Sequence, residues 1–233
     1  MDLSERMKKY EGVSKSYLMP KTPAIIRIDG KAFHTWTIGL ESPFDENFYA
    51  CMANTTKELV NQIQGATIAY GQSDEISILL KDYATYDTDA WFGGNVQKIA
   101  SVAASIATAV FNQTAIKLGI DRGKLALFDA RVFALPTHEV INYFIWRQQD
   151  FHRNSIQSVG QHFLGHKAMQ GMSSQEVVDA LRGHDDSVDW YKDYDAVYRR
   201  GYTYTRGSDV TNFDIPEFNQ LRDFIEVHVQ NPL

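Results

Sequence analysis

"AYGQSDEISILL", residues 69–80, sets two acids, Asp74 and Glu75, side by side before an apolar run of Ile76, Ile78, Leu79 and Leu80. Strands are poor in acids, and a carboxylate near a core is costly unless a cation or a donor meets it. The stretch reads as a turn, Gly71-Gln72-Ser73, and then a buried strand from Glu75 to Leu80. With the strand-like Thr67-Ile68-Ala69-Tyr70 before the turn, it forms a hairpin whose mouth carries charge.

Working outward, Ala24-Ile25-Ile26-Arg27-Ile28-Asp29-Gly30 is a strand ending in an acid and a glycine. Ser42-Pro43 with Asp45 and Glu46 starts a helix, whose Phe48, Met52, Leu59 and Ile63 recur at helical spacing until Gly65 stops it. Asn95 to Leu118 is a long helix rich in Ala, Ser and Val, ended by Gly119, and Lys124 to Leu135 is a further strand closed by Pro136. The order β-α-β-β-α-β is the ferredoxin-like, split βαβ pattern of an α+β protein. Residues 1–137 form this domain. Residues 138–233 read as a mainly helical appendage: a helix from about His138 to Phe163, with room for one kink, and a short one in "SSQEVVDALR" (173–182) with a capping box. "YRRGYTYTR" (198–206) reads as a strand pair or a basic loop.

Composition narrows the function classes. The net charge of −6 argues against broad nucleic-acid binding, though local basic stretches can still meet phosphate. Cys51 is the single cysteine, which excludes an intrachain disulfide and a cysteine-rich zinc site and suits a reducing, cytoplasmic setting. It is most simply a small buried residue. The apolar-leaning stretch Ile99 to Phe111 is too short for a membrane span, so no membrane partner is expected.

In the split βαβ order the first and third strands are antiparallel neighbours, which brings Asp29 and Asp74 to one edge of the sheet. Two converging carboxylates repel unless a cation lies between them or one is protonated. An oxygen-only donor set favours Mg²⁺ or Mn²⁺. Gly30 allows close backbone approach, and its carbonyl can add a ligand. The amides of Lys31, Ala32, Phe33 and His34 follow at once and can cradle a triphosphate. This is the outline of a two-metal nucleotidyl-transfer site, weighed against the plainer reading of solvated acids at strand ends. Alternation turns Glu75 to the face opposite Asp74, where it supports the ligands from behind, serves as an outer ligand or is merely a solvated edge acid. Arg131 is expected to pair with the neighbourhood of Asp129.

"RIDGKAFHTW" (27–36), "AYGQSDEISILL" (69–80), "FDARVFALP" (128–136) and "YFIWRQQDFHRNSI" (143–156), in this order and spacing, resemble the tRNA(His) guanylyltransferase family with its bacterial, archaeal and phage 3′–5′ polymerases. The resemblance implies a polymerase-type palm that adds nucleotides to the 5′ end of tRNA. The 5′-monophosphate is activated with a nucleoside triphosphate such as ATP or GTP, and the 3′-hydroxyl of an incoming nucleotide then attacks it. It assigns two Mg²⁺ ions to Asp29, Asp74 and the Gly30 carbonyl, makes Glu75 the third acid, and gives nucleotide binding to residues 30–34 with Ser73. His152, Arg153 and Asn154 become candidates for tRNA or phosphate contact, as do Arg199, Arg200 and Arg206, which interleave with aromatics. A homotetramer is implied as well.

Two departures stand out. Where histidine-tRNA enzymes carry His-Ile-Asn-Asn, this chain has His152-Arg153-Asn154-Ser155, and Ser42-Pro43-Phe44 stands near the place of a nucleotide-holding lysine. Both resemble the branch that repairs 5′-truncated tRNA on a template. The competing expectations are a dedicated histidine-tRNA guanylyltransferase, a nucleotidyl cyclase and a non-catalytic RNA-binding module. Gly71-Gln72-Ser73-Asp74-Glu75 lacks one cyclase group's Gly-Gly-Asp/Glu-Glu-Phe hairpin, and an acidic pair without metal would repel RNA.

Overall fold

The computed structural model describes residues 1–184 and 187–230. Its elements in chain order are α1 (Leu3–Gly12), β1 (Ala24–Gly30), α2 (Phe33–Trp36), α3 (Glu46–Gln62), β2 (Ala66–Gln72), β3 (Glu75–Leu80), α4 (Val96–Lys117), β4 (Phe128–Ala134), α5 (Thr137–Phe163), α6 (Ser174–Arg182), α7 (Trp190–Asp193), α8 (Ala196–Arg200), β5 (Tyr202–Thr205) and α9 (Leu221–Gln230). The sheet order is β4-β1-β3-β2-β5 with antiparallel neighbours throughout, which is the expected α+β, palm-like arrangement with one added edge strand. Asp45 caps α3 by accepting from the Phe48 amide at 2.8 Å, and Asn95 caps α4 at Lys98, so both sequence-read helix starts hold.

Alternation divides the sheet residues between two layers. Ile26, Ile28, Ile76 and Ile78 face α3 and α4, where Phe33, Trp36, Phe48, Phe111 and Phe128 form an aromatic cluster. Ile25, Ile68, Tyr70 and Leu79 face α5 and α9. Each such side chain, removed from water, contributes about 1.5–3 kcal/mol before chain entropy is subtracted. The segment after residue 137 therefore supplies the second layer of the palm as well as an appendage. The distal half of α5 carries a separate small core with α6 and Trp190.

Several elements differ from the sequence reading. The fourth strand begins at Phe128, not Lys124, because β1 ends at Gly30, the pairing partner of Phe128, and Leu125 and Leu127 are left exposed. β2 runs on to Gln72, so the connection to β3 is the two residues Ser73-Asp74, and Asp74 lies in the turn. α5 is a single helix of 27 residues. The "YRRGYTYTR" stretch is neither a strand pair nor a loop: it is the end of α8, Gly201, and β5, which pairs with β2. Gly71 and Gly201 allow that pairing, since a Cβ on Gly71 would come 2.2 Å from the Tyr202 ring. α1, which the sequence pattern does not predict, has a capping box at Asp2 and Glu5 and buries no residue.

The Ile99–Phe111 stretch belongs to the 22-residue α4, which is long and apolar enough to cross a bilayer by length and composition. Its Ile99, Ala103, Ala107, Phe111 and Ala115 repeat every four residues and are buried against the sheet, so it serves as a core helix here.

Candidate active site

The hairpin and β1 converge as the acids at their ends require. The Gly30 amide donates to the Asp74 carbonyl at 3.1 Å, which locks the β2–β3 turn against the end of β1. Ser73 holds a left-handed φ of 44°, a strained choice for a non-glycine residue and one that recurs at functional turns. Asp74 is raised to about 6. Burial is the main cause, with the charges of Asp29 and Glu75 adding to it, while hydrogen bonds from its own backbone and from Ser73 oppose it.

Across the sheet, Asp129, Asp29 and Glu75 stand in one row and Arg131, Arg27 and Ser77 in the next row on the same face. Like charges directly opposite destabilise a sheet, and the arginine row offsets them diagonally. Arg27 Nη2 lies 3.6 Å from Asp29 Oδ2 and 2.5 Å from Glu75 Oε2. Arg131 stands 3.9 Å from Asp29 and 4.0 Å from Asp129, in keeping with the expected pairing.

Glu75 is where the reading and the structure part. It is buried at 6% exposure, so it is not a solvated edge acid. Arg147 of α5 grips it twice, Nε to Oε1 at 2.7 Å and Nη2 to Oε2 at 2.9 Å, and Gln72 Nε2 donates to Oε1 at 3.2 Å. Arg147 is therefore buried between α5 and the sheet. It stacks on Trp146 at 4.5 Å and continues to Asp150 at 2.9 Å, which in turn pairs with exposed Arg153. Sequence reasoning missed Arg27 and Arg147. The available signal was Arg27 itself, a guanidinium in the middle of the apolar "AIIRIDG", which demands an anion nearby.

Gly30 is followed by Ala32 at φ +54° and the four-residue α2. A Cβ on Gly30 would meet the Phe33 ring at 2.3 Å, so only glycine fits beneath that buried aromatic. The Lys31 amide bonds to the Leu127 carbonyl at 2.8 Å, and Lys31 does not line the cavity, so its expected place in the phosphate cradle is corrected. The amides of Ala32, Phe33 and His34 head α2, where helical N–H groups lack an i−4 partner.

These groups line one cavity of about 740 Å³, together with Asp29, Asp74, Ser73, Arg27, Glu75, Arg147 and Asn154. Among the described residues no three His, Cys, Asp or Glu side chains gather as a metal-holding group. Two carboxylates and backbone carbonyls can make a Mg²⁺ site when water and phosphate complete the shell.

The remaining candidates separate. Arg153 and Asn154 are exposed, and Asn154 lines the cavity. His152 packs between Trp190 and Phe218, with ring centroids 4.8 and 5.3 Å away, and burial lowers its pKa. It offers a ring surface or a neutral hydrogen-bonding group. Ser155 is buried, donating to the Tyr198 carbonyl at 2.5 Å and accepting from Trp190 Nε1 at 3.1 Å. Arg199 donates to the Tyr194 carbonyl and Arg200 pairs with Glu217 at 2.8 Å. Arg206 is a correction: its Nε donates to the Ala66 carbonyl at 2.6 Å and its Nη2 to the Val60 and Ile63 carbonyls. That guanidinium caps the C-terminus of α3, where carbonyls lack partners, and is not turned toward RNA.

The family model described as Thg1, tRNAHis guanylyltransferase, matches residues 4–136. The tRNA(His) guanylyltransferase of Debaryomyces hansenii is 30% identical over 228 residues, 88% of this chain and 83% of that protein. A bacterial tRNA(His) guanylyltransferase (Thg1)-like protein in complex with ATP superposes with a TM-score of 0.94 at 40% identity, covering 98% of this chain and 100% of the other. A similar bacterial protein in complex with GTP gives 0.81 at 36% identity, over 98% and 99% of the chains.

Proposed function

Because the chain belongs to the tRNA(His) guanylyltransferase family, we propose that it is a template-dependent 3′–5′ nucleotidyltransferase acting on the 5′ end of truncated tRNA. The observation that carries the reading is the meeting of Asp29 and Asp74 at the mouth of β1 and β3, inside a cavity that also holds the head of α2. The ATP- and GTP-bound likenesses support nucleoside triphosphates as the small substrates.

Asp29, Asp74 and the Gly30 carbonyl are the groups that would hold Mg²⁺. When bound, the ions neutralise phosphate charge and lower the pKa of the attacking hydroxyl. The chain's own contribution is placement. The α2 amides receive phosphate oxygens while the Ser73 hydroxyl holds Asp74 beside them, and Phe33 in the aromatic cluster keeps that loop rigid. Activation joins the tRNA 5′-phosphate to the triphosphate's α-phosphorus with loss of pyrophosphate. Addition joins the incoming 3′-hydroxyl to that 5′-phosphorus with loss of the nucleoside monophosphate. Asn154 at the cavity wall and Arg153 beside it are proposed to meet the tRNA end. A homotetramer and a cytoplasmic setting belong to the same proposal.

The alternative, a dedicated histidine-tRNA guanylyltransferase, is less well served. The second asparagine of that motif is replaced here by Ser155, whose small hydroxyl is enclosed between α8 and Trp190. The test compares templated addition to several 5′-truncated tRNAs with guanosine addition to full-length histidine tRNA, using the wild type, Asp29→Ala and Asp74→Ala. Templated addition is expected to dominate and to fall at least a hundredfold in both variants. Full activity in either variant would falsify the assignment of the acids.

A further inference from the structure

Glu75 has no lone pair left for a cation. A carboxylate offers about four acceptor sites, two on each oxygen. Oε1 receives Arg147 Nε and Gln72 Nε2, and Oε2 receives Arg27 Nη2 and Arg147 Nη2. Every site has its donor, and the group is 6% exposed in the cavity wall. The charges continue in alternation on both sides, Asp29 to Arg27 to Glu75 and then Arg147 to Asp150 to Arg153. This chain links the sheet edge that carries Asp29 to the face of α5 that carries Arg153.

We propose that Glu75 is a positioning residue, not a metal ligand: it aims the Arg27 guanidinium at Asp29 and bolts α5 to the sheet through Arg147. The assignment rests on the metal-site reading of Asp29 and Asp74. Without Glu75, Arg27 loses its 2.5 Å partner, and its guanidinium is no longer fixed in place beside Asp29. Arg147, at 4% exposure, would keep a buried charge with one partner fewer.

The experiment measures Mn²⁺ binding directly, by electron paramagnetic resonance of free Mn²⁺, and kcat for nucleotide addition in the same variants. Glu75→Gln is expected to keep the Mn²⁺ dissociation constant within threefold of wild type, whereas Asp74→Asn weakens it more than tenfold. The kcat of folded Glu75→Gln and of Arg27→Gln should each fall at least tenfold, and the double variant should fall no further, because the two act as one unit. Should Glu75→Gln fold poorly, Glu75→Gln with Arg147→Met removes the buried partners together and carries the same expectation for Mn²⁺. Loss of Mn²⁺ affinity in Glu75→Gln or in that pair, to the degree seen in Asp74→Asn, overturns the proposal, as does additive loss of kcat with Arg27→Gln. Absence of Mn²⁺ binding by the wild type is a separate outcome, which sinks the metal-site reading and this assignment with it.

Discussion

Replacing Asp74 by asparagine should make the metal-free protein more stable while abolishing its activity. In the folded chain Asp74 is raised from 3.8 to about 6, first by burial and then by the charge of Asp29. The folded state therefore holds this proton more tightly than the unfolded state does. Stability from the group is fully present below pH 4 and is lost as pH rises through 6. A shift of about two units is worth roughly 3 kcal/mol at pH 7.5, which for a chain of this length is roughly 6–12 °C in Tm. Asparagine keeps the shape and the acceptor oxygen for the Ser73 hydroxyl but never carries the charge. Measured by thermal melts in EDTA from pH 4 to 8, wild type minus variant should diverge between pH 4 and 6 and stay apart above it. Mg²⁺ at pH 7.5 should then raise the Tm of the wild type and leave the variant where it was. Parallel Tm curves across pH 4–7, or a variant less stable than wild type in EDTA at pH 7.5, would refute the view of Asp74 as an uncompensated carboxylate awaiting a cation.

Two further substitutions probe the frame around the acids. Gly30→Ala drives a Cβ to 2.3 Å from a Phe33 ring hemmed in by Phe48, Phe111 and Phe128, so the urea midpoint should fall by an equivalent of about 1–3 kcal/mol. The KM for triphosphate should rise at least tenfold as α2 shifts, and an unchanged midpoint would show that the ring moves freely. Arg206→Met removes the donors to the Ala66, Val60 and Ile63 carbonyls and should cost about 1–3 kcal/mol, read by urea denaturation. Its tRNA affinity by filter binding should change less than threefold; a tenfold loss of affinity at unchanged stability would put this arginine on the RNA.

Much of the palm was legible because its strands are bounded by local signals. Asp45, Asn95, Gly65 and Gly119 mark helix ends by chemistry that acts within a few residues, and those assignments stand. The errors fall where a partner far along the chain decides. Lys124–Leu127 alternates like a strand, yet β4 can extend only as far as β1 offers Gly30 for pairing. β5 is an edge strand whose partner, β2, lies about 130 residues upstream, so nothing local distinguishes it from a basic loop. α1 buries nothing, so the apolar periodicity that reveals core helices has little to report. Its Asp2-to-Glu5 capping box was the one mark it left.

The site divides along the same line. Asp29 and Asp74 were readable because the order of strands alone brings them to one edge, and the chemistry of two converging carboxylates follows without side-chain detail. Glu75 was not. The strand pairing puts it on the face of Asp29, but a face is only half an environment, and the other half is Arg147, 72 residues downstream on a helix whose packing the strands do not specify. Arg27 could have closed the gap. A guanidinium at the centre of "AIIRIDG" must find an anion on its own side of the sheet, and in an antiparallel pair the available acid there is the one opposite Asp29. That acid is Glu75. The two acids of the hairpin thus divide by environment: Asp74, in the turn, carries a charge that burial and Asp29 disfavour, while Glu75 at the start of β3 has donors on both oxygens. A carboxylate poised for a cation and one that fixes the arginine beside it are adjacent in sequence because the turn ends at Asp74 and β3, paired with the strand that carries Arg27 and Asp29, begins at Glu75.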